Sequence, residues 1–426
     1  MRSHLTILSR HRVVRASAAA IFFYGIAGAA TSPYQAVLGI RELGLSDRAY
    51  AAIALCAAVA NVVLSIAFGL IADRFRSYRR PLLFVASFGV LGYGAIWAFP
   101  SATVFALATV GPLALFHATN SMLFANVRAQ MDAFDPDEAR VVNALMRMMI
   151  SLSWVLVPGA VGLALQGQDS MIGAWAIAAV LAGCVVTIVA LWLEPDHGRP
   201  RAARPVEEVP QGGTGTATVA PTAGRPDRPA QVRVARPLAG LAQVMAPGIG
   251  LRVLGIALIS QVLHVNATVL PLILTGQAGG QPDDIGLIVG MVAALEVVFM
   301  FFWAHVTRHI HLTTALLVTA ALYLAYLLGL AFALAPWQVY AASMVAGLAA
   351  AGIISLPISY LLDLIRDRPG LSASLIAVNM FAGGAIGAGI FALGTSVGGY
   401  PAAAILSGIA GIAGAGLLRG AERRGA

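Results

Sequence analysis

Long apolar runs separated by short polar breaks dominate the chain. Twelve runs are long enough to cross a bilayer, near 16–38, 49–72, 81–99, 102–127, 141–165, 171–193, 248–275, 284–305, 312–334, 337–363, 371–395 and 400–418. A hydrocarbon core of roughly 30 Å needs about 20 apolar residues per helix. A spanning helix must satisfy its own backbone polar groups, so runs of this length predict an all-α membrane protein. They fall into two sets of six around a polar stretch at 194–246, which holds Pro195, Pro200, Pro205, Pro210, Pro221, Pro226, Pro229 and Pro237 among Gly, Thr and Arg. Such a stretch cannot bury a core and predicts a flexible linker. The expected organisation is therefore an N-terminal six-helix bundle over 1–193, a linker over 194–246 and a C-terminal six-helix bundle over 247–426.

Composition sharpens this picture. The chain of 426 residues is 59% hydrophobic and 11% charged, where a soluble domain carries about 25% charged residues. The formal charge of +8 does not point to nucleic acid, because the basic residues, all of them Arg, flank the spans. Their placement orients the chain. Twelve spans put both termini and the linker on one side, and nearly all the loop arginines lie there, while Arg41 and Arg48 lie on the other. Positive loops stay cytoplasmic, so both termini are expected inside a bacterial inner (plasma) membrane. The first span lacks a small-residue cleavage site and reads as a retained helix. Cys56 and Cys184 fall inside apolar runs and read as small buried hydrophobes rather than a disulfide or metal site.

The two halves carry a trace of repetition. Ala58 to Val63 in the second span (AVANVV) matches Ala293 to Val298 in the eighth (AALEVV) at an offset of 235 residues. After the second span comes Gly69-Leu70-Ile71-Ala72-Asp73-Arg74, then Arg79-Arg80. Gly69 permits close helix approach, and Asp73 sits at a helix C-terminus, where the dipole disfavours a negative charge and a partner is required. This cluster resembles the G-x-L-x-D-R-x-x-R/K-R signature of the major facilitator superfamily. That resemblance implies a major facilitator fold, with two pseudo-symmetric six-helix bundles rocking around a midplane site. It also implies that Gly69, Asp73, Arg74, Arg79 and Arg80 form a cytoplasmic latch. The stretch Trp303 to Arg308 in the second half lacks the Gly and Asp, so any latch is asymmetric.

A narrower resemblance is to the sugar efflux transporter family. It is carried by Ala144-Leu145-Met146-Arg147, by Ser151 to Gly159, by Gly290 to Val297, and by Asp363-Leu364 with Pro369-Gly370. It implies proton-coupled efflux of sugars or glycosides by alternating access, by a monomer with no cofactor, and it adds Asp363 to the latch. Enteric members have an acid just before the seventh-span Leu-Pro; here Val269 stands there. Export of drugs or other metabolites, and solute uptake by symport, are the alternatives within the same fold.

The few polar residues inside the spans are the candidate site. Glu296 lies near the middle of the eighth span, where carboxylates are rare and face a cavity or a partner. It is the candidate proton-coupling group and a candidate for binding sugar hydroxyls. Arg147 lies about two turns into the fifth span; it either snorkels, lines the cavity or pairs with Glu296 or Asp363. Tyr24, Gln35, Asn61, His117, Asn120, Gln261, His264, Asn266 and Asn379 supply the donors and acceptors that suit a hydroxyl-rich ligand, and Trp154 a stacking face. Pro158-Gly159, Pro271 and the glycines near 383–389 mark bends and close contacts. No H-E-x-x-H, G-x-S-x-G, Walker or Cys/His cluster occurs, so the sequence offers no enzyme or metal chemistry. The expected partners are a small-molecule solute, protons and the lipid bilayer.

Overall fold

The computed structural model describes residues 12–75, 78–128, 136–168, 170–193, 247–364 and 369–423. Among them, the N-terminal half contains α1 (Arg12–Thr31), α2 (Asp47–Phe75), α3 (Arg79–Ala98), α4 (Ala102–Ala108 and Ala114–Arg128 joined by a π turn, Thr109–Leu113), α5 (Pro136–Ala164) and α6 (Gly173–Trp192). The C-terminal half contains α7 (Pro247–Leu274), α8 (Pro282–Val306), α9 (Leu312–Ala331) and α10 (Pro336–Leu364). The last helical run, Pro369–Arg423, breaks at Gly398 and Gly399, the latter at φ +70° and ψ −160°, a conformation open to Gly. The break makes two helices, α11 (369–397) and α12 (400–423), and brings the described spans to twelve, in two six-helix sets.

Most predicted boundaries agree within a few residues, and the first span is the main departure. Regular α1 stops at Thr31, a tight turn runs through Ser32–Tyr34, and a π turn follows over Val37–Glu42. Pro33 lacks an N–H and clashes with the preceding turn, so the α-helix cannot run smoothly to residue 38. The cysteines also depart from expectation. Both thiols are free, but Cys56 is exposed and Cys184 only partly covered by protein. Very little of α2 is buried inside the protein, so the bilayer, rather than a protein core, supplies the apolar surroundings of Cys56.

One membrane face holds the start of α1 and the end of α12; we call it the terminal face and its opposite the far face. At the terminal face, arginines cap helix C-termini. Arg79 Nη2 donates to the carbonyl of Ala190, and Arg12 Nη2 to that of Leu191 at 3.5 Å. A guanidinium there complements the negative end of the α6 dipole. Thr313 donates to Glu422 at 2.9 Å and Arg419 to Thr314 at 3.0 Å, tying α9 to α12.

The apolar core is divided unevenly. One cluster, including Val14, Ile21, Leu82, Met122, Met146 and Val189, fills the terminal end of the N-terminal half. The other joins the far end of that half (Tyr34, Tyr50, Phe105, Trp175) to the core of the C-terminal half (Ile259, Leu274, Tyr326, Leu361). The halves are thus fused at the far face and separate at the terminal face.

Candidate functional site

The seam that joins the halves positions the site. Helices α5 and α8 run antiparallel, and small residues let their backbones touch. A side chain at Gly290 would meet the carbonyl of Val155, one at Gly286 the carbonyl of Pro158, and one at Gly162 the carbonyl of Asp283. Tyr34, fully buried, drives its hydroxyl into this seam and donates to the Pro158 carbonyl at 2.8 Å. Two hydrogen-bonded ties cross between halves at the far face. Arg41 donates from Nη1 to Thr275 Oγ1 at 2.8 Å and from Nη2 to the Leu272 carbonyl at 2.5 Å, capping the C-terminus of α7. Tyr400 donates to Asp47 at 3.1 Å beside an edge-on contact of Tyr50 with Phe391.

Toward the terminal face the seam gives way to a cavity of about 460 Å3. Helix α5 contributes Ile150, Ser151 and Trp154, and α8 contributes Ile288, Val289, Val292, Ala293, Glu296, Val297 and Met300. Ser32 and Pro33 close its far end, and Asn266 on α7 and Tyr323 on α9 add polar atoms to the wall. Glu296 is half-buried there. Asn266 is fixed by Tyr326, which donates to its Oδ1 at 2.7 Å. Tyr326 is in turn edge-on to Tyr323, with ring centroids 5.2 Å apart. The remaining wall is apolar, so the cavity offers one carboxyl, one amide and a few hydroxyls against a broad hydrophobic surface.

The architecture has close counterparts among solved structures. The nucleoside transporter NupG superposes with a TM-score of 0.73 at 11% identity, covering 97% of this chain and 98% of that one. The peptide transporter POT in complex with sulfate gives 0.72 at 15% identity, covering 97% and 94%. The chain has the major facilitator fold. In sequence it is similar to a Deinococcus radiodurans protein named "Putative sugar efflux transporter", 25% identical over 288 residues, 67% of this chain and 66% of the relative. The chain thus matches just under two thirds of that relative's length. No protein-family model matches the sequence.

Within the major facilitator fold the sequence-predicted residues occupy different places. Glu296, Asn266 and Trp154 line the cavity. Arg147 is exposed on α5, one turn below Ser151. Tyr24 and His117 are not in the cavity wall; they meet each other at 3.0 Å between α1 and α4. Asn120 lies one turn further along α4, with its Oδ1 buried and unpartnered. Gln35 lies just past the first span's tight turn and Asn61 on α2, both half-buried. Gln261 is fully buried in a reciprocal lock with Ser407, donating to its carbonyl at 2.8 Å and accepting from its hydroxyl at 3.0 Å. Asn379 donates to Ser260 at 3.0 Å, and His264 is exposed beside Gly383 and Gly387 of α11. Of the latch residues, Arg79 caps α6 and Arg80 and Asp363 are exposed. The surroundings of Gly69 and the side chains of Asp73 and Arg74 lie outside the described residues, as does the 194–246 linker.

Sequence reasoning missed Tyr323, Ser32 and Ser151 in the cavity, and the clamp made by Arg41. Tyr323 had a usable signal, a tyrosine one turn from Tyr326 in an otherwise apolar span. Arg41 had one too, as one of only two arginines on its side of the membrane.

Proposed function

We propose that the protein is a secondary active transporter that exports sugars or glycosides in exchange for protons, by alternating access. The observation that carries this reading is Glu296, a carboxyl in the wall of the cavity between the two halves of a major facilitator fold. A carboxyl in that position can exchange a proton with the water that fills an open cleft, and its charge then biases the cleft's two states. The sequence likeness to the Deinococcus radiodurans relative supports a saccharide as the cargo. Asn266, Ser32, Ser151 and Tyr323 offer the hydroxyl-matching groups, and Trp154 a face on which a sugar ring stacks.

The excess of arginine on the terminal face supports a cytoplasmic orientation of that face in a bacterial cell. In that orientation the cavity lies on the cytoplasmic side of the seam, and the molecule stands inward-facing, ready to load a cytoplasmic solute. The two halves move as bundles, and Gly69, Asp73, Arg74, Arg79 and Arg80 at the α2–α3 junction, with Asp363, latch that side shut when the cavity faces outward.

The apolar wall of Leu263, Leu270, Ile288, Val292, Met300 and Ile354 favours a second reading, export of amphipathic metabolites or drugs through the same cavity. Inside-out vesicles with an acid interior separate the two. Sugar export predicts accumulation of a labelled saccharide that collapses when a protonophore removes the gradient. No flux for any of a panel of mono- and disaccharides and glycosides, with folded protein confirmed, would overturn the sugar assignment.

A further inference from the structure

Helices α5 and α8 present matching stripes to the cavity. On α8, Val289, Val292, Ala293 and Glu296 follow the i, i+3, i+4, i+7 pattern of one helix face. On α5, Ile150, Ser151 and Trp154 line the same cavity, and Arg147 completes the identical pattern toward the terminal face. Arg147 and Glu296 therefore stand on facing stripes of two helices whose register is known from their contact. Val155 meets Gly290. Eight residues further toward the terminal face lie Arg147 on α5 and Val298 on α8, about 12 Å along the axes from that contact. Glu296 is two residues short of Val298, an axial offset of about 3 Å, well within the reach of an arginine side chain.

In the present state this stretch of the two helices is largely exposed. Arg147, Ser151 and Ala294 are exposed, Met148 is 54% exposed and Val297 43%. Among the described residues, neither Arg147 nor Glu296 meets an opposite charge. Alternating access requires this end of the cleft to close, and closure strips water from both groups. An unpaired charge in a dry membrane interior is costly, whereas two opposite charges brought together compensate each other.

We propose that Arg147 and Glu296, apart across the open cleft, pair as the terminal end of the α5–α8 seam zips shut, and so hold the outward-facing state. The proposal rests on the reading of the cavity as a transport site. It assigns Arg147 a positioning role toward Glu296 and takes Asp363, at the end of α10 and off this seam, out of the pair.

Cysteine cross-linking in the full-length protein tests the pair without needing a substrate. Cys56 and Cys184 are replaced by Ser, and cysteines are placed at Met148 and Val297, which the same register sets opposite each other. Oxidative cross-linking in membranes then traps transient closure. The expected result is a cross-link whose rate falls about tenfold in Arg147→Gln and in Glu296→Gln. Glu296→Asp, which keeps the charge, retains it, and the swap of Arg147→Glu with Glu296→Arg recovers it. No cross-link in the parent, an unchanged rate in either glutamine variant, or no recovery in the swap would overturn the pair. Vesicle transport by the same variants reads the transport assignment separately, because cross-linking needs neither cargo nor gradient.

Discussion

The two ends of the α5–α8 seam are built from different materials. At the far end the contact is backbone against small residues, with Gly286, Gly290 and Gly162 under the carbonyls of Pro158, Val155 and Asp283. Charge-assisted hydrogen bonds from Arg41 to the end of α7 add a second tie between the halves at this face. At the terminal end the same two helices carry Glu296 in the cavity wall and an exposed Arg147 one turn beyond Ser151, on facing stripes. A seal made by shape holds without chemistry, while one made by charges depends on what those charges meet. Under the proposed exporter reading, the terminal end is where solute and proton would act, and the far end is a fitted closure that must part for release.

Substitutions at the far end break or sharpen that contrast. A cysteine at Ser32, which lines the far end of the cavity, reports far-face opening through its reactivity to a membrane-impermeant maleimide. The largest change is expected from Gly286→Leu, whose side chain would collide with the Pro158 carbonyl and the Tyr34 hydroxyl. Overpacking against backbone cannot relax cheaply, so labelling should rise by about tenfold or more and transport should fall to background. Arg41→Gln removes a cation from the C-terminus of α7, about 0.3–1 kcal/mol, for a change of about two- to fivefold. Asp47→Asn leaves an acceptor for Tyr400 and should stay within about twofold. A reversed order, with Asp47→Asn opening the far face more than Gly286→Leu, would mean that polar ties rather than shape seal this end.

The contrast also shows what was legible in the sequence. Hydropathy marked the spans because the bilayer imposes their length on each helix separately. Glu296 was legible for the same reason, since a carboxyl at that depth demands an explanation whatever surrounds it. What depends on packing between distant segments was not legible. Arg41 meets Leu272 and Thr275 across more than half the chain, and Tyr326 meets Asn266 from a different helix. The polar residues of the spans looked equivalent as letters, yet Gln261 is consumed by Ser407 and Tyr24 and His117 face each other, while Asn266 reaches the cavity. A polar side chain in a membrane helix either reaches a cavity or bonds a neighbouring helix, and only the neighbours decide which.

Proton coupling through Glu296 is tested most directly by comparing two transport modes of one variant. Wild type and Glu296→Gln would be assayed in inside-out vesicles for gradient-driven accumulation of a labelled saccharide, and for exchange of that saccharide at equilibrium without a gradient. Coupling through this carboxyl predicts that Glu296→Gln loses accumulation while exchange survives, slowed by no more than about the tenfold that closure loses with the Arg147 pair, because the cavity still binds solute but no longer carries a proton. Undiminished gradient-driven accumulation by Glu296→Gln would contradict it.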